Sequence, residues 1–444
     1  MSVLFPVYEL AEAERKILRR VPLDRVEGTA RMAEQLGRLF GESLSPYQAV
    51  RRILDDVRRR GDAALLDWTL RLDRTELKTL CVSRESMDLA SSAIDRDVLD
   101  ALRFAAKRIE EFHRRQPLAS WIDPGKDGLL GQVVSPIERA GIYVPGGSAP
   151  LPSTLLMCAI PARIAGVREI YVCTPPSLEG TVPDIILAAA HTAGIDAVFS
   201  VGGAQAIAAM AWGTQSIPRV DKIVGPGNLF VTLAKQQVYG AVGIDGLLGP
   251  SETIIIADDG ASPAMVAADL LAQAEHDALA TAIVVTPFRD LAARIASEVE
   301  RQIEALERAD VIRESMTDRG GAVIVRDLDQ AMEVANVYAP EHLQLSIREP
   351  AEWLGRVRHA GAVFLGEYSC EVLGDYAAGP SHSLPTGGTA RFASGLSVLD
   401  FVKTTSIIAL NAMAASELGR VAAVLARAEG LTAHAAAAQA RIRR

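Results

Sequence analysis

The chain has 444 residues, 49% hydrophobic and 23% charged, with 35 Gly, 22 Pro and a formal net charge of −9. This is a globular composition, with length for roughly two to four domains of the usual ~100–200 residues. The acidic balance argues against a nucleic-acid footprint, which needs a basic face. Four scattered cysteines, Cys81, Cys158, Cys173 and Cys370, without any CxxC pair, suggest neither a disulfide framework nor a thiolate zinc site.

Residues 1–30 are expected to form a helical N-terminal arm. It reaches Glu9, Glu12 and Glu14 too early for a secretion signal, so a cytoplasmic location and no membrane partner are expected. The helical pattern continues to about residue 120, with apolar residues at helical spacing over 47–60 and 98–113. The arginines of 51–60 alternate with Ile53, Leu54 and Val57 and read as one solvated helix side. From Gly131 strands alternate with helices: strand 142–144, helix 153–165, strand 169–174, helix 182–193, strand 197–201, helix 204–212, strand 221–224 and helix 229–239. The apolar stretch 151–162 ends at Arg163, short of the ~18–20 residues that span a bilayer.

A second block repeats the alternation: strand 253–257, helix 263–278, strand 281–286, helix 289–309, strand 322–325, helix 330–337 and strand 362–365. Such alternation predicts parallel sheets covered by helices on both faces. Beyond Arg391 the pattern turns helical again, and the Ala-rich stretch 412–441 holds too few large apolar residues to fold without docking on something. The expected class is α/β: two incomplete Rossmann-like, parallel-sheet domains with a helical N-terminal segment and a helical C-terminal tail.

The dinucleotide fingerprint GxGxxG is absent. Three other glycine turns end predicted strands: Val144-Pro145-Gly146-Gly147, Val201-Gly202-Gly203-Ala204-Gln205 and Val224-Gly225-Pro226-Gly227-Asn228. The carboxyl edge of an open α/β sheet is where ligands bind. One such turn is only steric convenience; three on one sheet suggest a nucleotide or anion site.

In the second block, Gln273 and His276 are three apart and share a helix face, so both could touch one ion; a solvated helix end is the plainer alternative. Glu341 and His342 follow Pro340 at an expected turn, pairing a carboxylate with the side chain best suited to proton transfer near neutral pH. Segment 371–391 is a long polar loop holding Asp375 and His382, and such loops inside compact domains are usually functional. Glu429 and His434 stand in an otherwise apolar helical pattern. Gln273, His276, Asp375 and His434 form a plausible nitrogen–oxygen set for zinc, and the missing thiolate favours a catalytic or substrate-binding ion over a structural one.

Several strings occur together and in order: ERAGIYVPGG (138–147), VGPGN (224–228), GPSE (249–252), QAEHD (273–277), APEHL (339–343), GDYAAGPSHSLPT (374–386), SGLSVLDF (394–401) and EGLTAHA (429–435). With VRRRGDAALLDWT (57–69), they make the chain resemble the histidinol dehydrogenase family over nearly its whole length. The resemblance implies oxidation of L-histidinol to L-histidine through bound L-histidinaldehyde in two NAD-dependent steps, the last reaction of histidine biosynthesis. It implies one zinc ion per subunit on Gln273, His276, Asp375 and His434, with Glu341 and His342 as the catalytic pair. Ser251, His382 and Glu429 would join the metal ligands and His342 in holding substrate, and Tyr143, Gln205 and Asn228 would contact NAD. It further implies a homodimer with shared active sites, its tail exchanged between subunits.

The domain division expected on this basis is 1–30 as arm, 31–135 with 250–390 as the metal-bearing catalytic domain, 136–249 as the NAD domain and 391–444 as exchanged tail. A paralogue acting on another small amino alcohol or polyol is the nearest alternative. A zinc hydrolase would lack the HExxH helix. A non-catalytic nucleotide-binding protein would leave the Glu341–His342 pair without a task.

Overall fold

The computed structural model describes residues 4–20, 30–146 and 150–442; residues 21–29 of the expected arm and Gly147 of the first glycine turn lie outside them. Among the described residues the backbone forms three sheets. The first has five parallel strands in the order Ala197–Ser200, Glu169–Thr174, Arg139–Tyr143, Lys222–Val224, Gly243–Ile244. The chain starts in the middle, builds outward to one side and then returns to the other. The direction therefore reverses between Arg139–Tyr143 and Lys222–Val224, and their carboxyl ends open the crevice typical of nucleotide-binding sheets.

The second sheet has six parallel strands in the order Val7–Glu9, Gly321–Ile324, Thr281–Thr286, Glu252–Ala257, His342–Ser346, Ala362–Leu365. The apolar run 254–257 of strand Glu252–Ala257 is sorted by parity. Ile255 and Ala257 meet Leu270, Ile295 and Ile312 on one face, while Ile254 and Ile256 meet Met332 and Tyr338 on the other. Each fully buried aliphatic side chain there contributes about 1.5–3 kcal/mol, which is why this strand tolerates no polar alternation.

Four differences from the sequence expectation have physical causes. The N-terminal arm is not wholly helical: Val7–Glu9 pairs with Ala322–Ile324 as an edge strand before a one-turn helix, Leu10–Ala13. The expected helix 289–309 breaks into Arg289–Gln302 and, after a 3-10 turn, Ala309–Arg319. Helical character does not resume at Arg391. Val402–Leu410 is instead a strand, antiparallel to Gly128–Pro136, which also pairs with Trp121–Gly125. The terminal helices Ala412–Ala428 and Thr432–Gln439 follow, the first capped by Asn411.

The fourth difference concerns the grouping of 31–135 with 250–390. Helices Pro46–Arg60, Arg84–Ala93 and Arg96–His113 bury their apolar faces on the five-stranded sheet domain, not on the six-stranded one. Ile53, Leu54 and Val57 share a core with Ile207 and Met210, and Met87, Leu102 and Ile109 share one with Leu156 and Ile186. Amphipathic helices dock wherever an apolar face awaits them, and helix spacing alone does not say which face that is.

Candidate active site

Two sheet edges of opposite polarity face one another. At the carboxyl edge of the five-stranded sheet, Tyr143 ends its strand and is buried, its hydroxyl accepting the Gly203 N–H at 3.1 Å. Burial pushes that phenol up to about 12. Gln205 is buried in helix Gly203–Trp212 with its carbonyl oxygen Oε1 unpartnered. Asn228 caps helix Leu229–Val238, accepting from Phe230 and Val231 N–H at 3.1 and 3.2 Å. The turn before it passes so close to the Tyr143 carbonyl that a Cβ on Gly225, at φ +109°, would meet that oxygen at 2.2 Å. Glycine is therefore required there. Tyr143, Gln205 and Asn228 thus lie at or just beyond the carboxyl ends of strands of this one sheet, and Gln205 brings an unpaired buried acceptor.

The second cluster lies at the amino edge of the six-stranded sheet. His342 opens a central strand rather than sitting in a turn, registered beside Thr253 and Ala362. It is only 4% exposed, and neither ring nitrogen has a hydrogen-bond partner. Glu341 and Glu371 lie 3.8 and 3.7 Å from Nδ1, and Asp375 lies 3.7 Å from Nε2. Burial opposes charge on the imidazole, but the three carboxylates outweigh it and raise the ring, to about 10. Burial lifts Glu341 to about 8 and Glu371 to about 7 against the pull of His342. Asp375 is held below its ordinary value, the His342 contact winning over burial.

Glu371 was not among the residues singled out from sequence. The segment read there as irregular starts with a helical turn, Glu371–Leu373, and continues as a π-turn, Gly374–Ala378. That turn sets Glu371 and Asp375, four apart, on the two sides of one imidazole. Such π-turns recur at functional sites. Gly374 permits it, since a Cβ would meet the Phe364 ring at 2.7 Å. Thr253 Oγ1 donates to Glu371, which fixes this carboxylate further.

Around this core, Ser251 immediately precedes Glu252, whose N–H donates to Glu341 Oε2 at 3.0 Å. His382 donates from Nδ1 to the Asp375 carbonyl at 2.9 Å, and its Nε2 lies 3.1 Å from Thr154 Oγ1. Thr154 starts the helix after strand Arg139–Tyr143, so His382 bridges the two edges. Cys158, on that same helix, is fully buried 3.5 Å from Ser383, its thiol pushed up to about 12 by burial. It is no nucleophile.

Gln273 is fully buried near the end of helix Pro263–Glu275, with both amide atoms unpartnered, and His276 caps that helix. Desolvation depresses the His276 imidazole, while Asp375 pulls it the other way. An orphaned amide beside an imidazole and a carboxylate suits a divalent cation with nitrogen and oxygen ligands. His434 and Glu429 are exposed on the terminal helices, and among the described residues no group of three or more His, Cys, Asp or Glu side chains is arranged to hold a metal ion. Nor is any helix among them long and apolar enough to cross a membrane.

The family model described as histidinol dehydrogenase matches residues 42–442. Histidinol dehydrogenase of Moorella thermoacetica is 53% identical over 395 residues, covering 88% of this chain and 93% of that protein. The Dehalococcoides mccartyi histidinol dehydrogenase is 48% identical over 435 residues, covering 96% and 97%. The crystal structure of histidinol dehydrogenase from Elizabethkingia anophelis superposes with a TM-score of 0.89 at 35% identity, covering 99% of this chain and 98% of that one. A matching family model, half-identical relatives and the same fold end to end leave one assignment: the chain belongs to the histidinol dehydrogenase family of NAD-dependent oxidoreductases.

Proposed function

We propose that the chain oxidises L-histidinol to L-histidine through bound L-histidinaldehyde, reducing two NAD per turnover. The observation that carries this reading is the buried Glu341–His342 pair, set opposite a crevice edged by Tyr143, Gln205 and Asn228. In it, His342 takes the proton from the substrate hydroxyl in the first oxidation. Glu341, beside that imidazole, accepts a proton from the water that adds to the aldehyde in the second. Glu371 and Asp375 orient the imidazole from either side.

Gln273, His276 and Asp375 would hold zinc with His434 of a second copy, the ion supplying orientation of the amino alcohol against the nicotinamide. Asp375 is also the carboxylate facing Nε2. Engaging it elsewhere removes one of the charges that raise the His342 imidazole and so favours the neutral ring that a base needs. Ser251, His382 and, from the second copy, Glu429 would line the substrate's place. The functional unit is then a homodimer, in line with the exposed Met413, Val421, Val424 and Leu425 of the terminal helix.

The test is purified protein with L-histidinol and NAD, with and without a strong chelator. Two NADH per substrate, lost on chelation and restored by zinc, is the expected result. One NADH per substrate, or indifference to the chelator throughout, refutes the reading.

A further inference from the structure

Helix Leu328–Tyr338 delivers Glu341 and His342, and its end is unusual. A helix leaves its last four carbonyls without intrahelical partners. Backbone N–H groups beyond the end commonly satisfy them, but Pro340 has none. Ala339 takes the left-handed conformation, φ 54° and ψ 65°, which favours glycine and costs another residue about 1–3 kcal/mol.

Two arginines replace the missing donors. Arg391 Nη2 donates to the carbonyls of Asn336 and Val337, at 3.3 and 2.5 Å. Arg20, from the N-terminal arm, donates to Tyr338 O from Nε at 3.0 Å and from Nη2 at 2.7 Å, and to Ala339 O at 3.2 Å. Its guanidinium stacks on the Tyr338 ring, 3.9 Å from the centroid. The same group grips Glu252 through both terminal nitrogens, one contact at 2.9 Å.

Glu252 in turn donates its N–H to Glu341 Oε2, and its own Oε1 accepts the Gly387 N–H at 3.3 Å. Arg20 therefore holds two tethers of Glu341, the strained turn that leads into it and the residue that hydrogen-bonds its carboxylate, while the Glu341 carbonyl accepts the Ala362 N–H at 2.9 Å. His342 is fixed independently, by strand register and by Glu371 and Asp375.

We propose that Arg20 is a positioning residue for Glu341, so that the N-terminal arm, remote in sequence from the chemistry, sets the placement of the carboxylate that serves the second oxidation. This rests on the function proposed above. A planar fork reaching two carbonyls and one carboxylate is a task for arginine that lysine cannot repeat. A displacement of about 1 Å at a reacting group can cost on the order of 10²-fold in rate.

The experiment compares the full-length wild type, Arg20→Met, Glu341→Gln and the double variant, each started from L-histidinol and, separately, from L-histidinaldehyde. Arg20→Met should lose about 10- to 100-fold in kcat on the aldehyde, with much less loss in the alcohol step and with KM for NAD and zinc per subunit unchanged. In the Glu341→Gln background the same substitution should cost under about twofold, because residues acting through one another are not additive. Additive losses, equal losses in both half-reactions, or zinc loss would overturn the proposal. If Arg20→Met does not accumulate as folded protein, Arg20→Lys keeps the charge on Glu252 without the fork; a smaller loss confined to the aldehyde supports the proposal, and wild-type rates on both substrates overturn it. A wild type inactive on both substrates refutes the proposed function instead, whatever the Arg20 variants do.

Discussion

Lys235 and Asp245 form the most deeply buried ion pair among those described, with side chains 2% and 5% exposed. The ammonium also donates to the Gly225 carbonyl at 3.0 Å, and Asp245 accepts the N–H groups of Gly225 at 2.7 Å and Gly246 at 2.8 Å. The pair thus clamps the turn leading to Asn228 onto the segment leading to Ser251. Lys235→Met preserves volume but leaves Asp245 charged and unpaired in the interior, and breaking a buried pair on one side costs about 3–5 kcal/mol. With an unfolding entropy of about 2.1 cal/mol/K per residue, a chain of 444 residues should melt roughly 3–5 °C lower by calorimetry. Adding Asp245→Asn removes the orphaned charge while keeping an acceptor for the Gly225 N–H, so the double variant should regain about half of the loss. KM for NAD should rise in the single variant, because Asn228 loses its support. A double variant no more stable than Lys235→Met would refute the claim that uncompensated charge is the cost.

Glu371→Gln removes one of the three carboxylates around His342 and should lower turnover about 10- to 100-fold through lost orientation, with zinc per subunit unchanged; turnover within twofold of wild type would return Glu371 to a packing role. Asp73, at the C-cap of helix Asp62–Leu72, has a buried oxygen without a partner, and burial lifts its carboxyl to about 6. The folded state then binds this proton more tightly than the unfolded chain, whose carboxyl titrates near ~3.9. The stability it contributes is full below that value and is lost as pH rises through about 6. Asp73→Asn should therefore be more stable than wild type by about 1–2 kcal/mol at pH 7, a figure discounted for its partial exposure, and equal to it near pH 4; equal urea midpoints at both pH values would count against a buried charge.

Most interior strands of the two parallel sheets were legible because burial on two faces leaves apolar runs such as that in Thr281–Thr286, which periodicity reads directly. Strand His342–Ser346 escaped because Pro340 drew attention as a turn signal, although Leu343, Leu345 and Ile347 alternate with Gln344 and Ser346. Val402–Leu410 carried its own mark, four β-branched residues between Val402 and Ile407. Glu371 lay hidden because Gly374, Gly379 and Pro380 make its segment look irregular. A π-turn is decided by what packs against it, here Phe364. The role of Arg20 was not legible at all, since nothing local links residue 20 to residues 252 and 338.

The tail poses the remaining question of why an acid and an imidazole stand exposed among alanines. Helix Ala412–Ala428 carries Met413, Val421, Val424 and Leu425 on its surface, and Glu429 and His434 follow directly. Covering four such side chains is worth about 1.5–3 kcal/mol each, a useful part of the cost of associating two chains. A helix that served only its own chain would gain nothing from leaving them bare. Under the proposed function one docking event does both jobs: it buries the apolar stripe and delivers an imidazole to the unpartnered amide of Gln273. The exposed surface and the incomplete cluster are then two halves of one interface, and losing either should undo the other.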